Sequence, residues 1–287
     1  MSEEQPSFRC VVVGVDGRTG GRDAIALARM LAGAGTRLLL ARVYAGAPIE
    51  IEAAKLDPAK LSGGSAEAQR VLEEERARAE IAAELVPVGA SSVGRGLDGL
   101  AESEHADLLV VGSSHRGFLG RVFVGDDTRG ALNGAPCAVA VAPLGYAQAL
   151  GTISTIGVGY DGSSESEAAL ALARELAREH GASLRALKVV QILSSSYAGF
   201  GGVAWGDALE TVLADAKRSM TEIPGVQGDA ALGVPGEELA AFGDEVDLLL
   251  VGSRAYGPVR RLMLGSTSHY LIGHARCPLL VIPRPSA

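Results

Sequence analysis

The chain has 287 residues, 26 of them basic and 34 acidic, and its formal net charge of -8 excludes a basic nucleic-acid-binding module by net charge. Hydrophobic residues make up 47% of it and aromatics only 4%, so the cores must be built from Val, Leu, Ile and Ala, which favours buried parallel strands covered by helices. An odd number of cysteines argues against a disulfide framework, and no apolar run approaches the roughly 20 residues that span a bilayer.

The sequence says nearly the same thing twice. Asp107-Leu-Leu-Val-Val-Gly112 returns as Asp247-Leu-Leu-Leu-Val-Gly252, and Gly125 and Cys137 return as Gly265 and Cys277, at an offset of 140. Val15-Asp16-Gly17 returns as Tyr160-Asp161-Gly162 at an offset of 145, so the second copy is shorter in its middle. Each copy is long enough to bury its own core. Two homologous domains are expected, residues 1–147 and 148–287, with any chemistry where the copies agree. Charge divides evenly between them: 15 basic and 19 acidic residues through position 150, then 11 and 15. The start of the chain carries Glu3 and Glu4 before Pro6, without a basic segment followed by an apolar one, which predicts no secretory signal. A soluble cytoplasmic protein with reduced core cysteines is the expectation.

Cys10 to Val15 is a β-branched run closed by Asp16-Gly17, a buried strand ending in a turn. Ala24, Leu27, Ala28 and Leu31 then recur at helical spacing, matched by Ala169, Leu172, Ala173 and Leu176. Second strands fall at Leu38–Tyr44 and Leu184–Val190. Gly/Ser-rich stretches follow, Ser62-Gly63-Gly64-Ser65 and Ser194 to Gly206, and read as flexible loops before a second helix. The second of these could close over a ligand. The run Glu73 to Glu80 alternates in charge and reads as that helix's solvated face. Third strands near Leu85–Val88 and Ala230–Leu232 lead to helices around Leu97–His105 and Glu237–Phe242. Fourth strands, Leu108–Val111 and Leu248–Val251, end in Gly-Ser segments. A last helix and the strands Ala138–Ala142 and Leu279–Ile282 close the copies.

Strand and helix alternate throughout, so the expected fold is α/β: two doubly wound domains, each a parallel sheet of about five strands flanked by helices. Such sheets bind ligands outside the carboxyl ends of their strands, at the switch point. In the second copy, Gly252-Ser253-Arg254-Ala255 follows strand four and Gly265-Ser266-Thr267-Ser268 precedes the last helix. Glycines admit close backbone approach, and unpaired amides at a helix start, with hydroxyls beside them, suit a phosphate. Arg254, Arg260 and Arg261 lie in or near the same loop. The carboxylate of Asp161 can accept from an adenine amino group or a ribose hydroxyl. The bland alternative is that Asp161-Gly162 is only a strand-end turn and Gly265-Ser266 only a helix cap.

The pattern Val-Gly-Tyr-Asp-Gly-Ser at strand one, with Gly-Ser-Arg-Ala-Tyr-Gly-Pro-Val-Arg-Arg-Leu-Met-Leu-Gly-Ser-Thr-Ser over residues 252–268, resembles the universal stress protein A family in its tandem form. Gly112-Ser-Ser-His-Arg-Gly117 is similar to first domains of tandem members, and the resemblance covers nearly the whole chain. It implies an adenine nucleotide alpha hydrolase-like fold and bound ATP, or AMP, with magnesium accompanying the nucleotide. By that resemblance Asp161 and the backbone of Val189 meet the adenine, Gly252, Ala255, Gly265, Ser266 and Thr267 wrap ribose and phosphates, and Gly159, Tyr160, Val251, Arg254 and Ser268 belong to the same nucleotide site. The matching residues of the first copy are Asp16, Val43, Gly112, His115, Gly125, Asp126 and Asp127. There His115 replaces the second glycine of the motif and Asp126 its serine. Two carboxylates at a helix start repel a phosphate, so the first copy is expected to bind ATP poorly or not at all. His115 either compensates as a cation or is structural. Ala255 replaces the second glycine in the second copy, which weakens that site without excluding it.

Residues 157–162 also satisfy G-x-G-x-x-G, but the match begins inside the strand and the first copy has Val12 at the first glycine, against a dinucleotide enzyme. His105, His115, His180, His269 and His274 have no paired ligands at useful spacing for a metal. No nucleophile elbow or G-x-x-x-x-G-K-[ST] loop is present in the sequence, so dedicated catalysis is not indicated. The reading is a nucleotide-binding stress-response regulator, with nucleotide held mainly in the second copy. The alternatives are a scaffold acting through dimerisation or partner contacts, or a slow ATPase. In the family the last strands of two domains pair, so Ala138–Ala142 is expected against Leu279–Ile282 within one chain. A homodimer of the whole chain is left open, and the sequence names no protein partner.

Overall fold

The structure, a computed structural model, describes residues 6–45, 58–113, 133–149, 151–191, 202–253 and 262–284, with backbone alone for 58–63 and 202–207. The first copy runs β1 (Cys10–Gly14), α1 (Thr19–Leu31), β2 (Arg37–Ala45), α2 (Pro58–Ala79), β3 (Glu84–Ala90), α3 (Val93–Ser103), β4 (Leu108–Gly112) and β5 (Ala138–Ala142). A 3-10 turn (Tyr146–Gln148) leads to the second: β6 (Thr155–Gly159), α4 (Ser164–His180), β7 (Ser183–Val190), α5 (Gly202–Thr221), β8 (Gln227–Leu232), α6 (Pro235–Gly243), β9 (Leu248–Gly252), α7 (Ser266–His274) and β10 (Leu279–Ile282).

The strands form one ten-stranded sheet in the order β3-β2-β1-β4-β5-β10-β9-β6-β7-β8. Within each copy every pair is parallel, as β1 is with both β2 and β4. The copies join where β5 meets β10 antiparallel, with Leu279 opposite Val141 and Val281 opposite Val139. The last strand of each copy therefore has a partner on both sides, and neither leaves an open edge.

The period-two pattern of the strands divides the core into two layers. Val11, Val13, Leu108 and Val110 face α1 and α2, and in the second copy Ile156, Val158, Leu248 and Leu250 face α4 and α5. Val12, Leu109 and Val111 face α3, while Leu249 and Val251 face α6 and α7. Leu39 and Leu40 are both fully buried on opposite faces. Each fully buried aliphatic side chain contributes about 1.5–3 kcal/mol. Cys10, Cys137 and Cys277 are free and buried. Burial pushes the Cys137 and Cys277 thiols up to about 12, so they stay protonated and unreactive at neutral pH.

The structure departs from three expectations. Ser62 to Ser65 is not a loop but part of α2, because Gly64 brings the helix onto the Tyr44 ring, which a Cβ there would meet at 3.0 Å. In the second stretch, 202–206 belong to α5, and 194–201 lie outside the described residues. Glu75, read as solvated, is buried; its carboxylate takes Arg22 of α1 at 3.2 Å and Arg78 at 2.6 Å. Asp107 and Asp247, which mark the repeat, recur for structural reasons. Asp107 Oδ2 accepts from the amides of Arg9 and Cys10, and Asp247 Oδ2 from those of Ser154 and Thr155. They tie down the amino ends of β1 and β6, away from the ligand-facing end. Agreement between the copies therefore marks fold as well as chemistry.

Candidate functional site

At the carboxyl ends of β6, β7 and β9, a cleft of about 460 Å³ opens between the start of α4, α6 and the start of α7. It is lined by Gly159, Tyr160, Asp161, Val189, Val251, Gly252, Gly265, Ser266, Thr267 and Ser268, residues that stand up to 109 positions apart in sequence. Arg254 and Ala255 lie outside the described residues, as do Arg260, Arg261, Gly125, His115, Asp126 and Asp127. In the first copy Asp16 follows β1, Val43 lies on β2, and Gly112 ends β4.

The turn after β6 is built from short polar side chains. Gly162 takes φ +83°, a left-handed conformation that glycine adopts without penalty. Asp161 Oδ1 accepts from the Ser163 amide at 2.9 Å and its hydroxyl at 2.5 Å. Ser163 caps α4 by accepting from the Ser166 amide at 3.2 Å. Ser166 Oγ in turn accepts from the Gly162 amide at 3.1 Å and donates to the Ser163 carbonyl at 3.0 Å. Burial alone would push the Asp161 carboxyl up, but the Ser163 and Ser166 hydrogen bonds hold it below its ordinary value, so it is an anion at neutral pH. Tyr160 donates its hydroxyl to Glu167 on α4. That bond raises the phenol's pKa.

Across the cleft, the Gly265 amide donates to Ser268 Oγ at 2.9 Å and its carbonyl accepts from the His269 amide at 2.9 Å. The amides of the first turn of α7 have no intrahelical acceptor, and Ser266 and Thr267 sit on that turn at the cleft wall. His274 stacks on Tyr270 with ring centroids 3.8 Å apart, a packing role at the far end of the helix.

Several lining residues escape a reading of the sequence. Leu187, Gln191, Pro235 and Leu239 join the wall, as do Ser166 and Glu165, while Ser163 and Ser253, which stand in the two site motifs, line it as well. Ser163, a residue type preferred at helix N-caps, is the signal that marks the turn. Glu165 had no such signal. It is 3% exposed, because Gly252 at the end of β9 leaves room for it: a Cβ on Gly252 would lie 2.6 Å from that of Glu165. Ser164 Oγ donates to its Oε2 at 3.0 Å, and Arg284 Nε stands 3.6 Å from Oε1. At the corresponding point of the first copy stands Gly20, whose carbonyl oxygen would lie 1.9 Å from a Cβ on Gly112. The first two glycines of the apparent G-x-G-x-x-G serve helix packing, and the third is the left-handed Gly162 of the turn. A Cβ on Gly157 would meet the Phe242 ring at 2.8 Å, and one on Gly159 would meet Leu239 at 2.9 Å.

The sequence model of the universal stress protein family matches residues 7–143 and again 152–283. The chain belongs to the universal stress protein family. A Thermus aquaticus universal stress protein is 33% identical over 136 residues, 45% of this chain and 97% of that one. A Mycobacterium tuberculosis universal stress protein is 28% identical over 202 residues, 67% of this chain and 69% of that one. Among solved structures, a universal stress protein from Archaeoglobus fulgidus superimposes with a TM-score of 0.65 at 17% identity, covering 98% of this chain and 100% of that one, a likeness of fold. This universal stress protein is thus a tandem of two family units. Among its described residues no helix is long and apolar enough to cross a membrane.

Proposed function

We propose that this universal stress protein binds an adenine nucleotide, ATP or AMP, in the second-copy cleft and acts as a stress-response regulator through its occupancy. The observation that carries the reading is the meeting of three elements around one cleft: the Asp161 turn, Val189 near the end of β7, and the Gly265–Ser268 helix start. An ionised Asp161 can accept from an adenine amino group or ribose hydroxyl through Oδ2, since Ser163 occupies Oδ1. The open amides and hydroxyls of Ser266 and Thr267 suit a phosphate. In the first copy α3 rests directly on Val43, whose Cγ2 would lie 2.8 Å from a Cβ on Gly96. That close packing, with Asp126 and Asp127 in the sequence, supports a weaker first site.

Glu165 favours the second reading, a scaffold without useful nucleotide affinity. A buried carboxylate in the cleft wall repels phosphate; Arg284, 3.6 Å from its Oε1, offsets part of that charge and a magnesium ion travelling with the nucleotide would offset more. Both readings are tested by identifying nucleotide released from the purified protein and titrating ATP and AMP with and without magnesium. About one nucleotide per chain, lost in Gly265→Asp, supports the second-copy site. Glu165→Gln is expected to bind ATP more tightly and to depend less on magnesium. No release and no uptake by either protein leaves the scaffold reading standing.

A further inference from the structure

The helix start that faces the cleft is not held by its own copy alone. Leu262 to Leu264, which lead directly into Gly265, run beside residues Asn133 to Ala135 of the first copy. The Gly134 amide donates to the Leu262 carbonyl at 3.0 Å, and the Leu262 amide donates to the Ala135 carbonyl at 2.9 Å. The Leu264 amide donates to Asn133 Oδ1 at 3.3 Å, a side-chain bond spanning 131 positions. Leu262 and Ala135 are both fully buried, so the two backbone bonds are shielded from water and hold the segment in register. Gly134 takes φ +121°, a conformation that L side chains rarely adopt. A Cβ there would come within 3.3 Å of Asp98 Oδ2 on α3.

We infer that the second-copy site is composite: Asn133 is a positioning residue that fixes Leu264, and through it Gly265 and the first turn of α7, in the geometry a phosphate requires. The inference rests on the nucleotide reading above. It follows from the order of the chain, because the anchored residue and the N-cap of α7 are adjacent, and a shift at Leu264 moves the amides of Ser266 and Thr267 with it. Linkage makes the effect reciprocal: nucleotide that favours the anchored helix start also strengthens the contact with the first copy. The first copy thus contributes to ligand affinity even where its own cleft binds little.

The test uses the full chain with Asn133→Ala and Asn133→Asp, reading amide hydrogen exchange at Leu264 without ligand, ATP affinity by calorimetry, and the melting temperature. Asn133→Ala is expected to speed exchange at Leu264 and to weaken ATP binding by about two- to three-fold, the low end for one neutral hydrogen bond because this one is exposed to solvent, with the melting temperature nearly unchanged. Asn133→Asp keeps an oxygen at the same reach and is expected to restore slow exchange. Unchanged exchange at Leu264 in Asn133→Ala overturns the anchor. Faster exchange with unaltered ATP affinity overturns the coupling, as does a loss of affinity that tracks a general loss of stability. Wild-type protein that takes up no ATP at all overturns the nucleotide reading itself, while the exchange data still report on the anchor.

Discussion

Asp161 shows how a single side chain serves both the turn and the site. Its carboxyl is held below its ordinary value of 3.8 against the opposing effect of burial, by hydrogen bonds from Ser163 and then Ser166. A carboxyl with a depressed folded-state pKa stabilises the fold above its unfolded pKa, and that contribution is lost as pH falls through the folded value. Between those two values the unfolded chain binds the extra proton, so stability rises with pH there. Asp161→Asn removes the titration and keeps one acceptor oxygen. Urea unfolding from about pH 5 down to about pH 2, from above the ordinary carboxylate value to below it, where the depressed folded value lies, is expected to show a shallower dependence of stability on pH in the variant. Identical slopes would mean that the Ser163 and Ser166 bonds form equally well with the protonated acid.

At the scale of elements, hydrophobic period located nearly every strand and helix, because the pattern that buries a face is local in sequence. What it missed was decided by partners far away. Ser62-Gly63-Gly64-Ser65 reads as a loop by composition, yet it is helical since Gly64 lets α2 lie on Tyr44 of β2. The cleft's Asp161, Gly252 and Gly265 were legible as strand-end and helix-start signals, whereas Glu165 was not, since its burial depends on Gly252. Asp23 is the clearest case. It is fully buried in α1, and its two oxygens accept from the amides of Gly145 and Ala147 at 2.8 Å each. Those partners lie 122 and 124 positions away, in the segment that connects the copies. At the matching point of the second copy, Ala168 packs against the core. Asp23→Ala leaves both amides without this acceptor, at about 1–3 kcal/mol for each donor left bare. Thermal melting is expected to fall by several degrees, and by less in Asp23→Asn, which keeps one carbonyl oxygen. A melting temperature equal to wild type in Asp23→Ala would show that water replaces the carboxylate at no cost.

The whole molecule joins its copies more firmly than a linker would. β5 and β10 make the sheet continuous, and each of the two core layers includes residues of both copies: Val11 and Ile156 in one, Val12 and Leu249 in the other. The Asn133–Ala135 contact adds a third junction. Unfolding either copy alone would strip a buried strand from its neighbour and leave its backbone donors and acceptors bare, a cost that falls on the copy remaining folded. A single calorimetric transition is therefore expected, with van't Hoff and calorimetric enthalpies in agreement. Leu109→Ala in the first copy and Leu249→Ala in the second sit at corresponding core positions, both fully buried. Each is expected to cost about 2–5 kcal/mol and to lower that one transition as a whole. Two resolved transitions, with each substitution moving only its own, would show instead that the shared sheet is a contact between independently folding units.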